Sequence, residues 1–142
     1  MAKTYRLGFV RKAINAVGTV AIRLGLAPRG SHLLTTTGRK TGKRRTTPVH
    51  LVDHGGGRYL VAPYGPRSWV LNARAAGEVT LSRGRTSTTI PVTEVAATEA
   101  APVLKEYVRQ VPVTRPFFDT TKDSPAAAFE AEAERHPVFR LG

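Results

Sequence analysis

The chain has 142 residues and a formal net charge of +12, with 41% hydrophobic and 23% charged residues. That length allows one domain with a real core, and the balance is that of a folded chain rather than a disordered one. The absence of cysteine excludes disulfides, thiolate metal sites and cysteine nucleophiles. His32, His50, His54 and His136 fall in no metal-ligand spacing, so no metal is expected. A positive charge of this size attracts polyanions, whether nucleic acid, anionic lipid or an acidic small molecule, without choosing among them.

The spacing predicts a helix over residues 4–26, with Tyr5, Phe9, Val17, Val20 and Leu24 on one stripe and Arg6, Arg11 and Lys12 elsewhere. Its longest uncharged run, residues 13–22, has ten residues, about half of a bilayer crossing. The start lacks the cleavage site and apolar core of a signal peptide, so a cytoplasmic location is expected. Such a helix can pack on its own domain or lie on an anionic membrane face. Gly25 and Ala27-Pro28-Arg29-Gly30 end it. Residues 1–30 are therefore read as an amphipathic helical segment, and residues 31–142 as one domain.

From residue 31 the period shortens to that of strands. A strand over 32–37 meets the loop 38–45, which sets Arg39, Lys40, Lys43, Arg44 and Arg45 around Gly38 and Gly42. Glycine allows the tight turn, and the cations supply fixed charge and several donors each. Strands follow at 47–53 and 58–62, joined by the glycine-rich turn after His54. A helix over 67–76 closes at Gly77. Strands over 78–83 and 86–95 turn at Gly84. A helix over 98–110 is expected with Thr98 as cap, Glu99 in its first turn and Pro102 tolerated there. A proline-rich loop carrying Phe117 and Phe118 leads to a helix over 125–135 and a last strand over 138–141. The pattern is α+β, with about six mainly antiparallel strands forming a small barrel flanked by helices.

Four ordered motifs carry a specific likeness. Leu34-Thr35-Thr36-Thr37-Gly38-Arg39-Lys40-Thr41-Gly42 is followed by Arg45-Thr46-Thr47-Pro48, then Ala62-Pro63-Tyr64-Gly65, then Trp69-Val70-Leu71-Asn72. Together they resemble the deazaflavin-dependent nitroreductase family, actinobacterial oxidoreductases that use reduced coenzyme F420. The resemblance implies a split β-barrel of the FMN-binding type. It also implies a cofactor whose phosphodiester and glutamate tail are strongly anionic and whose deazaflavin ring is flat.

By that resemblance Arg39, Lys40, Thr41 and Arg45 would meet the phosphate and tail, with Lys43 and Arg44 steering the ligand. Thr46, Thr47, Pro48, Val49, His50 and Leu51 would lie along the ring, His50 only as lining, because no carboxylate is placed to orient it as a base. Pro48 suits a backbone turned toward a ligand, having no N–H for a strand partner. Ala62, Pro63, Tyr64 and Gly65 would turn beside the ring, and Ser68, Trp69 and Asn72 would face cofactor or substrate. Tyr64 is the acid–base candidate, shared with water. The family's lid tyrosine is missing here, and Phe117 or Phe118 takes its place in the substrate pocket. The implied reaction is hydride transfer from the deazaflavin to an electron-poor small-molecule acceptor, a quinone or a conjugated alkene such as an unsaturated lactone. The residues alone leave open a nucleic-acid-binding module, or the same barrel holding FMN or heme. No aromatic interleaves the basic loop, so no specific nucleic-acid partner is expected.

Overall fold

A computed structural model describes residues 19–22 and 30–142. Six strands, β1 (Ser31–Thr37), β2 (Arg44–His54), β3 (Gly57–Val61), β4 (Glu78–Arg83), β5 (Thr86–Glu94) and β6 (Val138–Leu141), close a barrel in the order β1-β2-β3-β6-β5-β4. Every neighbouring pair is antiparallel. Among the described residues the helices α1 (Ser68–Ala76), α2 (Ala97–Gln110) and α3 (Ala126–Glu130) flank it, with a 3-10 turn at Pro112–Phe117. Of the helix expected over 4–26, residues 19–22 are helical and the rest lies outside the described residues. Among the described residues no helix is long and apolar enough to cross a membrane.

Strand alternation divides the apolar residues into two cores. Leu34, Leu51, Leu60, Val79, Leu81 and Phe139 fill the barrel, joined by Val70 and Ala73 of α1. Val52, Tyr59, Val61 and Val138 face outward onto Val103, Leu104, Tyr107 and Val108 of α2 and Phe129 of α3. Fully burying each such side chain stabilises the fold by about 1.5–3 kcal/mol. Tyr59 keeps a polar tip in this layer, its hydroxyl donating to Glu99 at 2.9 Å.

The pairing of β2 is uneven, and that shapes the site. β1 accompanies it from Arg44 to His50, whereas β3 pairs with it only from Leu51 to His54. The stretch before Leu51 therefore has an open edge on the β3 side. Alternate residues of an antiparallel strand address the same neighbour, and the Leu51 N–H donates toward β1, to the Gly30 carbonyl at 2.8 Å. Pro48 thus turns its missing N–H to the open edge, where no ladder needs it. The antiparallel order also brings to one end of the barrel the 38–43 loop, the turn after β3, the start of β4 beside α1, and the residues preceding β6.

Three expectations change. The helix expected to begin with a Thr98 cap starts at Ala97, with Ala96 in extended conformation and no side-chain cap. Pro102 consequently falls in the second turn, where it leaves the exposed Thr98 carbonyl to solvent. The helix expected over 125–135 runs only over Ala126–Glu130, with Pro125 before it and a series of turns after. Those turns carry Glu132 and His136 inward, which a continued helix exposed on one side would place otherwise. The expected proline-rich loop contains the 3-10 turn, with Pro112 opening it.

Candidate active site

The basic hairpin loop is pinned from inside. Gly38 N–H donates to the Lys43 carbonyl at 2.7 Å and Gly42 N–H to the Gly38 carbonyl at 2.9 Å. Gly42 has φ +72°, the left-handed region that favours glycine, and a side chain at Gly38 would crowd Thr41 Oγ1 at 2.7 Å and the Lys43 carbonyl at 3.2 Å. Asn72, 2% exposed, accepts the Arg39 backbone N–H at 3.1 Å and its Nη1 at 3.0 Å on one oxygen. Its amide nitrogen donates to Thr36 Oγ1 at 3.3 Å. The loop is thereby bound to α1 and β1 while Lys40, Lys43, Arg44 and Arg45 stay exposed. Among the described residues none of these cations is ion-paired, and neither 33–52 nor 62–77 contains an acidic residue.

Beside the loop, a cleft of about 240 Å³ is lined by Thr47, Pro48, Ala62, Pro63, Tyr64, Gly65, Arg67 and Trp69. The open β2 edge forms one wall and the turn after β3 the other. Ala62 N–H donates to the Pro137 carbonyl at 2.9 Å, and Arg67 N–H to the Gly65 carbonyl at 2.8 Å. Gly65 has φ +91°, which lets the chain reverse into α1. Trp69 leans on Phe139 at 6.0 Å between ring centres and so joins the cleft to the barrel core. Phe117 meets Tyr64 edge-on, 5.0 Å between centres, at the border of the cleft. Ser68 is exposed at the first turn of α1.

Other residues expected at the ring point elsewhere. His50 lies on the opposite face, where its Nε2 meets Gln110 Oε1 at 2.9 Å and its ring meets Tyr107 edge-on. Gln110 also donates to Glu106 at 2.7 Å, whose carboxyl is held down at about 2 by hydrogen bonds from Arg109 and Gln110. Burial pushes the neighbouring Tyr107 hydroxyl up. Val49 packs on the barrel core, and Leu51 faces a larger cavity, about 590 Å³, whose other walls include His32, Leu81, Ile90 and Leu141. Thr46 turns its hydroxyl to Thr35 at 2.9 Å. Asn72 is buried as an anchor, and Phe118 is buried against His136, with ring centres 3.8 Å apart. In each case a partner brought by the fold decides how the side chain is used: α2 for His50, β1 for Thr46 and Asn72, and the turn before β6 for Phe118.

Two buried polar residues belong to this end without having been singled out. His136, 4% exposed, stands 2.8 Å by Nδ1 from the Pro63 carbonyl. Glu132 lies beneath it and takes the backbone N–H groups of Asp119 and Thr120. Burial holds His136 below the usual histidine range, outweighing the Pro63 bond and the Glu132 charge, which pull it the other way. The only sequence signal was a Glu and a His four residues apart before the last strand. Among the described residues no group of His, Asp and Glu could hold a metal ion.

A family model described as F420H(2)-dependent quinone reductase matches residues 7–122. No curated protein matches the chain. Among solved structures, one of an F420-H2-dependent reductase (FDR-A) is 28% identical, with 80% of this chain and 95% of that chain covered and a TM-score of 0.55. A NimC/NimA family protein from Clostridium acetobutylicum is 13% identical, with 88% and 81% covered and a TM-score of 0.55. An F420 reductase is 10% identical, with 85% and 90% covered and a TM-score of 0.53. The last two likenesses concern the fold alone. The expected split β-barrel is the fold found.

Two outcomes follow from the anchoring residues. Asn72→Ala strands the Arg39 donors and the buried Thr36 hydroxyl, and should lower stability by about 1–3 kcal/mol, read as a lower urea midpoint. An unchanged midpoint would mean that the hairpin is held by other bonds. For His136, the unfolded chain takes up a proton near pH 6.5 that the folded chain still refuses. Stability should therefore fall as pH drops below 6.5 and stop falling, for this group, below its lowered folded value. Urea midpoints at pH 7.5 and 5.5 should differ less in His136→Asn than in the natural protein.

Proposed function

Because the chain belongs to the F420H(2)-dependent quinone reductase family, we propose that the cleft beside the basic hairpin receives the deazaflavin ring and that hydride passes there to an electron-poor acceptor. Membership makes the protein an oxidoreductase working with coenzyme F420. The proposed acceptor is a quinone or an activated conjugated alkene such as an unsaturated lactone. One observation carries the reading: the 38–43 loop and the start of β2 carry five cations, with no acidic residue in 33–52 or 62–77, and β2 continues from them into Thr47 and Pro48, the unpaired edge that walls the cleft.

The residues present fit such a cofactor. Lys40, Lys43, Arg44 and Arg45 are exposed and would bind the phosphodiester and glutamate tail, with Arg39 held toward them by Asn72. A tail lying across the loop would gain charge-assisted hydrogen bonds without displacing any internal ion pair. The 240 Å³ cleft is small for a whole ligand, which suits one end of an extended molecule whose remainder runs over the hairpin. Thr47 and Pro48 would border the ring with backbone, and Trp69 would wall it. When bound, the reduced deazaflavin supplies the hydride. Tyr64, half-buried at the mouth with Phe117 against it, would hold an acceptor oxygen and deliver the proton, in competition with water. Confining the two reactants between fixed walls provides the orientation on which most of the rate depends.

Titration with coenzyme F420 and, separately, with FMN, following Trp69 quenching, tests the reading. Saturable F420 binding without FMN binding is expected, and FMN preference would overturn it. Lys40→Ala should weaken F420 binding about tenfold with turnover at saturation retained, and natural affinity in this variant would remove the tail from the hairpin. Tyr64→Phe should cut turnover by about tenfold or more with cofactor affinity kept. Full turnover would assign the proton to water.

A further inference from the structure

We infer that His136, backed by Glu132, is a positioning residue of the cleft: it fixes the Pro63 carbonyl, and with it Tyr64, relative to Phe117. This rests on the reading of the cleft as the ring site. The Pro63 carbonyl can only accept, so the 2.8 Å contact puts the proton of the neutral imidazole on Nδ1. Nε2 is buried and has no hydrogen-bond partner, with Glu132 Oε1 3.6 Å away.

Glu132, 2% exposed, is occupied on the other side. It accepts the backbone N–H of Asp119 at 2.8 Å and of Thr120 at 3.0 Å, together with the Thr120 hydroxyl. Arg135 reaches the same carboxylate at 3.3 Å and pairs with Asp119 at 2.9 Å. The carboxylate therefore fixes the segment following Phe118, whose ring stacks on His136 at 19° between planes. The residue just before, Phe117, is the one that meets Tyr64. One wall of the cleft and the segment that borders it thus converge on one buried pair, the turn through His136 and the end of the 3-10 segment through Glu132.

A phenylalanine at position 136 would keep the stack on Phe118 and would spare the fold an unpartnered buried nitrogen, which is costly. What it cannot supply is the donor to Pro63. The histidine therefore carries an energetic cost that packing alone does not require. Other bonds hold the turn, Ala62 N–H to Pro137, Gly65 N–H to the Ala62 carbonyl at 3.4 Å and Arg67 Nε to the Tyr64 carbonyl at 3.3 Å, and none of these engages the Pro63 carbonyl. The His136 bond fixes the Pro63 carbonyl itself, immediately before Tyr64.

The test has a part that needs no cofactor. Nitrogen-15 shifts of the His136 ring in the free protein at pH 7.5 should report the Nδ1–H tautomer. The Nε2–H tautomer would overturn the inference, and this readout stands even if a variant fails to fold. The second part compares His136→Phe, which keeps the ring, with His136→Asn, whose amide nitrogen takes the place of Nδ1. His136→Phe should lower kcat about tenfold or more with the F420 dissociation constant unchanged, since the hairpin sets it. His136→Asn should recover most of that loss. No loss in His136→Phe, or the same loss in both variants, would reduce His136 to packing. Failure of the natural protein to bind F420 is a separate result: it removes the ring-site reading and the inference with it, whatever the tautomer.

Discussion

The uneven pairing of β2 is the constraint on which the rest depends. A strand flanked on both sides has no backbone to offer a ligand, and a strand flanked on neither does not hold its shape. β2 has one partner along its first half and two along its second. The lower half is locked into the barrel by Leu51 and Val52, which enter the two cores. The upper half is held by β1 alone and presents an edge. Pro48 keeps that edge from recruiting another strand, because an N–H is missing where a ladder would need one.

The barrel end built around that edge has two halves held by different physics. The hairpin is a concentration of charge fixed by one neutral amide: Asn72 satisfies Arg39 twice and Thr36 once without cancelling any charge. An aspartate there would bind the same donors and neutralise part of the field that the loop presents. The turn after β3 is held instead by carbonyl acceptors, Pro137 for Ala62 and Pro63 for His136. Charge steers over a distance of about 8–10 Å in physiological salt, whereas orientation requires contacts near 3 Å. The hairpin suits the first task and the turn the second.

Much of the scaffold was legible from the sequence because the signals are local. Alternation bounded by glycine turns gave β4 and β6 their observed limits, and Gly77 ends α1 at φ +72° as its position predicted. The loop and the 62–65 turn were legible as motifs with a known family likeness. What was not legible is the use of side chains decided by distant packing. His50 alternates with Val49 and Leu51 as expected, yet whether its face meets a ligand or a helix depends on where α2 lies, sixty residues away at Gln110. Asn72 shares a helix face with Trp69, yet the Arg39 donors capture it. Thr98 is a good cap by type, and the chain begins the helix earlier, where two alanines permit it. Glu132 and His136 showed only a spacing, since their value lies in Asp119, Thr120 and Pro63, which the fold brings to them.

The same end of the molecule is a place where function opposes stability. Five cations within seven residues repel one another, and the described residues include no acid paired with them. Elsewhere several cations are paired: Arg74 with Glu94, Arg58 with Asp53, Arg140 with Glu99. A loop so charged stays folded because its backbone is closed by glycines and its root is clamped by Asn72. An anionic ligand bound there relieves the repulsion, and whatever it gains by doing so adds to the stability of the folded chain through linkage. The hairpin therefore stores, as unrelieved repulsion in the empty protein, part of the free energy with which it would hold a polyanion. A neutral ligand could not draw on that store, however well it filled the cleft.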